Sequence, residues 1–458
     1  MKAWSANMMG IPGANDVANS WTTSVSSRSI GYIQAMTLGS ILEFAGSVGV
    51  GARVADTIRT KVVDIDAFES NPALLMLGMT CAIVGSATWL TFCTRLGLTV
   101  STTHSIMGGV IGMGVALVGA DGVIWADFSS GEISSGVVSV FLAWIIAPGL
   151  SAAFASVIFM VTKYAVMLRE QPALRGLMLV PVYFGITASL LTMLIVWKGG
   201  SIEIGFSGPE TAGMIVGVGA AWALVVTVFL VPWMYRVVIR DDWQLRWWHI
   251  AQGPLLVRRP EPPVQPEGAP GGIRDFYAGH LTRDELDAQR NTRVSDIEAT
   301  SGNDEGNGSK EVNTTTGSAS SDKGTTSADS PPTSAQPPEQ KKLVGPRPSG
   351  PWHSRPVLFW TLKWLFLRGV DQDIVSMQNT DKTILTGDLA AVHAHVPHYD
   401  NKAEYLYTFV QVMTACTASF THGANDVANA VGPYATIFQI WQSGALEGSK
   451  SSVPVWIL

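Results

Sequence analysis

The chain reads GANDVANS at Gly13–Ser20 and GANDVANA at Gly423–Ala430. Seven consecutive residues recur near opposite ends of the sequence, and their mixed composition rules out a biased tract as the cause. Duplication of one functional element is the simplest account. A single copy would read as an Asn/Asp helix cap. Two copies in separate halves of a membrane protein point instead to paired half-sites between two repeats.

Working outward from the signatures, the sequence consists of long uncharged runs. Ser29–Ala52 is apolar apart from Glu43, and Ala73–Thr94, Thr102–Ala120, Gly136–Thr162, Gly176–Trp197 and Thr211–Tyr235 carry no charge. One such run could be a buried core helix; six before residue 240 predict membrane spans. The whole composition agrees. Hydrophobic residues make up 47% and charged residues 14%, against about 25% charged in soluble domains. Mean hydropathy is +0.24, and the 16 Trp and 46 Gly suit interfacial anchors and membrane helices. A net charge of −6 gives no support to nucleic-acid binding. Three cysteines (Cys81, Cys93, Cys416) are too few for a disulfide framework and match no zinc spacing.

Residues 241–356 are rich in Ser, Thr, Gly, Pro, Glu and Lys, and predict a disordered loop. Hydrophobicity returns at Val357–Leu367, too short to span, whose Trp360, Lys363 and Trp364 predict an interfacial helix. A further span follows over Tyr405–Thr421, and another begins near Ala430. Lys163, Arg169 and Arg175 fill one inter-span loop, and Arg236, Arg240 and Arg246 open the long one; residues 120–135 hold no Lys or Arg. The positive-inside rule therefore puts the long loop in the cytoplasm, where the sequons at Asn307 and Asn313 stay unmodified. The domain reading is 1–240 as a first transmembrane repeat, 241–356 as the loop, and 357–458 as the start of a second repeat.

The signature's chemistry suits ions. Gly and Asn favour an unwound turn, whose carbonyls can coordinate a hard cation and whose helix N-terminus attracts an anion. Asp16 and Asp426 are carboxylates at a depth where charge is costly unless it meets a cation. Asn15, Asn19, Asn425 and Asn429 supply neutral oxygens and donors. In Thr99-Val-Ser-Thr-Thr-His104, the hydroxyls of Ser101, Thr102 and Thr103 open a helix, either as an anion cradle or as an ordinary cap. Glu43 is an intramembrane carboxylate, which makes it a candidate cation or proton site. Gln34 lies nine positions earlier; at about 100° per residue the two face opposite sides, so only one can point into a narrow site. His393, His395 and His398 have loose metal spacing in a polar stretch, and structural use is the better reading. Trp243, Arg246, Trp247 and Trp248 directly follow a span and read as interfacial anchors. No nucleotide-binding, zinc-hydrolase or nucleophile-elbow motif occurs, so no enzyme is expected.

GANDVANSW, then ILEFAGSVGVGARVADTIR, TVSTTHSIMGG and FTHGANDVANAVGPYA together resemble the PiT family of inorganic phosphate transporters. Within it, the chain is most similar to the fungal phosphate-repressible permeases. The resemblance implies an all-α polytopic membrane protein of two inverted-topology repeats, with re-entrant or broken helices, a long disordered loop, and phosphate and Na⁺ bound between the repeats. It implies phosphate binding by Asn15, Asp16, Ser101, Thr102, Thr103, Asn425 and Asp426. Na⁺ binding is expected at Asp16, Asn19, Glu43, Asp426 and Asn429, with no cofactor beyond the co-transported ion. The family places a helix before the first signature, whereas twelve residues precede Gly13 here. The family also repeats the STTH element. The Gly13-to-Ser101 spacing carried forward from Gly423 runs past Leu458, so a truncated C-terminal part is expected.

The function expected is import of inorganic phosphate by symport with Na⁺ across the plasma membrane, with the lipid bilayer and a second copy in a homodimer as further partners. Two alternatives stay open: a non-transporting phosphate receptor signalling through the long loop, and a proton-coupled oxyanion permease using Glu43, His104 and His422.

Overall fold

A computed structural model describes residues 16–17, 19–60, 63, 66–96, 98–126, 136–198, 206–266, 272–277, 280, 282–288, 291–292, 345–367 and 389–446. They fall into two compact units, Met1–Phe276 with Tyr399–Leu458, and Tyr277–His398.

In the first unit, helical residues 16–17 and 19–26 lead to α1 (Tyr32–Thr60), α2 (Pro72–Arg95), α3 (Thr102–Val118), α4 (Val137–Met167), α5 (Pro172–Lys198), α6 (Gly208–Ile239) and α9 (Asn401–Ser443). The only β-type pairing among the described residues is a bridge between Val63 and Val123. Among the described residues, five helices are long and apolar enough to cross a bilayer, and α3 is a shorter apolar helix. The chain is thus an all-helical polytopic membrane protein. Local signals set the helix starts: Pro72 opens α2 after Asn71, the Ser101 hydroxyl accepts from the His104 amide, and the Ser207 amide donates to Glu210 Oε2 at 2.8 Å. α4 is apolar around its whole circumference and leaves Ile145, Phe154 and Val157 exposed, as a lipid-facing helix does.

The helix interruptions fall elsewhere than expected. π turns occupy Lys163–Met167, Val226–Leu230 and Tyr235–Ile239. The second signature, by contrast, is not unwound: Gly423–Ala430 lies inside the continuous 43-residue α9. Packing explains this. A Cβ at Gly423 would collide with the Glu43 backbone on α1, and one at Gly46 with the Phe420 carbonyl on α9. The glycines let two backbones touch, which is how membrane helices associate when no hydrophobic drive exists between them. The Ser47 hydroxyl donates to the Glu43 carbonyl within α1 (2.8 Å) and to the Gly423 carbonyl across the same seam (3.0 Å).

α9 is the common wall of three cores. Val427, Val431 and Ile437 pack with Leu75, Met79 and Leu90 of α2 and with Ile106 and Val110 of α3. Leu406 joins Val180 of α5 and Met234 of α6. Ala415 packs on Val17 and Trp21, and Trp21 Nε1 donates to Ser419 Oγ at 2.8 Å, fully buried.

Residues 241–266, which composition placed in the polar loop, fold onto the α5–α6 core. Leu245 and Leu256 are buried there, buried Asp242 pairs with Arg259 at 2.9 Å, and buried Arg236 donates to the Pro260 carbonyl at 2.7 Å. Trp247 and Trp248 stay exposed. In the second unit, α7 (Arg355–Leu367) carries Trp360 stacked on Trp364, and α8 (Leu389–His395) carries His393 and His395, with His398 just beyond it. His393 stacks on His280 and His398 on Tyr277, so these imidazoles serve in ring packing.

Candidate carboxylate and hydroxyl site

α9 turns three polar side chains to one face, because His422, Asp426 and Asn429 follow each other at i, i+4 and i+7. His422 Nδ1 lies 3.7 Å from Asp426 Oδ2. The N-terminus of α3 meets this face. Thr102 Oγ1 donates to Asp426 Oδ1 at 3.1 Å. Asn429 Nδ2 reaches Thr102 Oγ1 and Thr103 Oγ1, both at 3.0 Å, and Asp426 Oδ1 at 3.2 Å. Asp16, 7% exposed, comes from the first signature; one ligand atom each of Asp16, His422 and Asp426 lies within 4.8 Å of the others. Glu43 of α1 lies within electrostatic reach of all three.

The centre is rich in acceptors and poor in donors. Asp16 Oδ2, Glu43 Oε1 and Asn429 Oδ1 are buried without a hydrogen bond. Pro433 has no amide with which to close the helical bond on the Asn429 carbonyl. Three carboxylates gathered away from bulk water repel one another strongly, and cations between them are the natural remedy. The donor set, hard anionic and neutral oxygens, is the kind Na⁺ takes.

The structure thus brings together Asp16, Glu43, Thr102, Thr103, Asp426 and Asn429 from the expected set. Ser101 sits at the same helix start, with its oxygen accepting from the His104 amide as a cap. Asn425 is exposed and outside the network, and Asn19, also exposed, lines a cleft that His422 lines too. Asn15 lies outside the described residues. Of the two residues on opposite sides of α1, Glu43 takes the inward position, while Gln34 accepts from the Gly31 amide at 3.3 Å and helps start the helix. His104 packs its ring against Trp144, with centroids 4.0 Å apart and the planes tilted by 35°. His422 entered the sequence reading only as a proton carrier. Its spacing four residues before Asp426 on a helix was the signal that it belongs to the site.

A model of the phosphate transporter family matches residues 12–458. The chain belongs to this family. Its members are transporters and not enzymes, and the site above joins Asp16 and Asp426 from the two copies of the repeated heptapeptide in this chain. A phosphate-repressible phosphate permease, pho-4, of Neurospora crassa is 60% identical over 452 residues, spanning 97% of this chain and 76% of the relative. A sodium-dependent phosphate transporter 2 of Xenopus laevis is 28% identical over 523 residues, spanning 96% of this chain and 78% of the relative. A solved structure titled "The sodium-dependent phosphate transporter" superposes with a TM-score of 0.53 at 20% identity, over 99% of this chain and 70% of that one, and so shares the fold.

Proposed function

We propose that the chain is a secondary active transporter that imports inorganic phosphate across the plasma membrane by symport with Na⁺. The observation that carries this reading is the convergence of Asp16 and Asp426, from the two signature copies, onto one buried centre beside Thr102 and Thr103. Na⁺ held by Asp16, Glu43, Asp426 and the oxygens of Asn429 and Asn19 offsets the carboxylate charge and lets a multivalent anion approach. Phosphate then takes donors from Thr103, Thr102, Ser101 and the α3 N-terminal amides, with Asn15 and Asn425 at the signature ends. The Asn429 amide and Asp426 orient the threonine hydroxyls. Two inverted repeats, 1–240 and 357–458, would rock about the centre to expose it alternately, with 241–356 on the cytoplasmic side.

The test is radiolabelled phosphate uptake with Na⁺ replaced by choline. Uptake should fall to background, and unchanged uptake would dismiss Na⁺ coupling. Asp16→Asn and Asp426→Asn should each abolish uptake while leaving the protein in the membrane. One observation favours a second reading: His422 beside Asp426 can accept a proton, so coupling to H⁺ would show as uptake that survives choline and rises at acid pH.

A further inference from the structure

A cleft of 620 Å³ runs between the helix over residues 19–26 and α9, and His422 of the carboxylate centre lines its inner end. Along α9 the lining residues Tyr407, Gln411, Thr414 and His422 fall on one stripe; on the facing helix Ser20 and Ser24 do the same. From Tyr407 to His422 is fifteen residues of helix, about 22 Å at 1.5 Å per residue. The outer end of this stripe lies near the start of α9, where Lys402 Nζ meets Asp241 Oδ2 at 2.8 Å just beyond the end of α6. The cleft therefore reaches from the buried carboxylates toward a membrane face.

Its lining is unusual for a helix seam in lipid. Several serines in this chain's helices bond back to the i−4 carbonyl: Ser40 to Met36, Ser47 to Glu43, Ser156 to Ala152. Ser20 and Ser24 do not, and neither does Ser86 on α2. The Ser20 and Ser24 hydroxyls are buried with no hydrogen bond, and Ser24 is 1% exposed. Two unspent donors on residues that line a cleft whose wall mixes amides and hydroxyls with Val410, Ala415 and Ala418, and has no carboxylate among its described lining residues, suit a passing anion better than a cation.

We propose that this cleft is the path by which inorganic phosphate moves between the carboxylate centre and the membrane face at the start of α9, with Ser20 and Ser24 replacing part of its hydration shell. The proposal rests on the phosphate-transport reading. Its test uses the full chain with Cys81, Cys93 and Cys416 replaced, in sealed membrane vesicles of both orientations, with Ser24→Cys or Thr414→Cys added. Lys402→Cys marks which orientation exposes the start of α9. A negatively charged, membrane-impermeant methanethiosulfonate should label both cleft cysteines from that face. Saturating inorganic phosphate with Na⁺ should slow labelling at least tenfold, and labelling should cut each variant's remaining uptake at least tenfold. Absence of labelling from that face at both positions overturns the path. Labelling at a rate indifferent to phosphate overturns its use by phosphate. Loss of phosphate uptake in the unmodified protein would instead defeat the transport reading, and labelling, read without substrate, tells the two failures apart.

Discussion

Thr102 donates to Asp426 while Asn429 donates to both Thr102 and Thr103, so the Thr103 hydroxyl proton is the one left to point elsewhere. A hydroxyl bond to a charged ligand contributes about 1.5–3 kcal/mol. Thr103→Val should therefore raise the phosphate KM roughly tenfold or more, with protein levels unchanged, in uptake measured against phosphate concentration. The pair on α1 offers a second check. Glu43→Gln removes a carboxylate from the centre and should cut Na⁺-driven uptake by more than about tenfold. Gln34→Ala removes only a helix-start contact costing about 1 kcal/mol, and uptake should persist. The sequence already required one of these two residues to face away from the site, since 3.6 residues per turn fixes their angle. It could not distinguish cap from cradle among Ser101, Thr102 and Thr103. The deciding contacts, to Asp426 and Asn429, come from the far end of the chain, and nothing local encodes them.

At the scale of elements, the glycines of the signature show why propensity misled. Gly and Asn in GANDVANA argue for a break, yet α9 stays helical through it because Gly423 must seat against α1. Gly423→Leu should force α1 and α9 apart and lose both folded protein and uptake. Gly423→Ala, which adds one methyl against the Glu43 backbone, should lower thermal stability in detergent measurably. Five spans were legible from runs of 18 or more residues with almost no charge. Thr102–Ala120, expected as a sixth, is the 17-residue α3, and the separate spans expected at Tyr405–Thr421 and from Ala430 are one helix, α9. The π turns in α4 and α6 were not legible, since they change backbone register without changing composition. The start of the polar segment was also misread. Leu245 and Leu256 are sparse among charges, and their burial depends on α5 and α6 being in place.

For the molecule as a whole, the ordered stretch 241–266 sets where the polar segment can be cut. Removing Arg259 strands the fully buried Asp242 carboxylate, and breaking such a pair costs about 3–5 kcal/mol. Arg259→Met should lower the melting temperature in a detergent thermal-shift assay, and a deletion beginning at residue 260 should do so as well by taking the Pro260 carbonyl from Arg236. Deleting 293–344 instead should spare both stability and uptake. A receptor signalling through that stretch would lose its signal. The length of α9 has a consequence of its own. Forty-three residues make a rod of about 64 Å, roughly twice the 30 Å oily interior of a bilayer. No ordinary tilt hides such a rod, so part of it stands in water or among headgroups, and Asn401, Lys402 and Glu404 at one tip are suited to that. The beam that carries Asp426 thus also offers a handle outside the lipid, and whatever grips that handle can tug on the carboxylate centre.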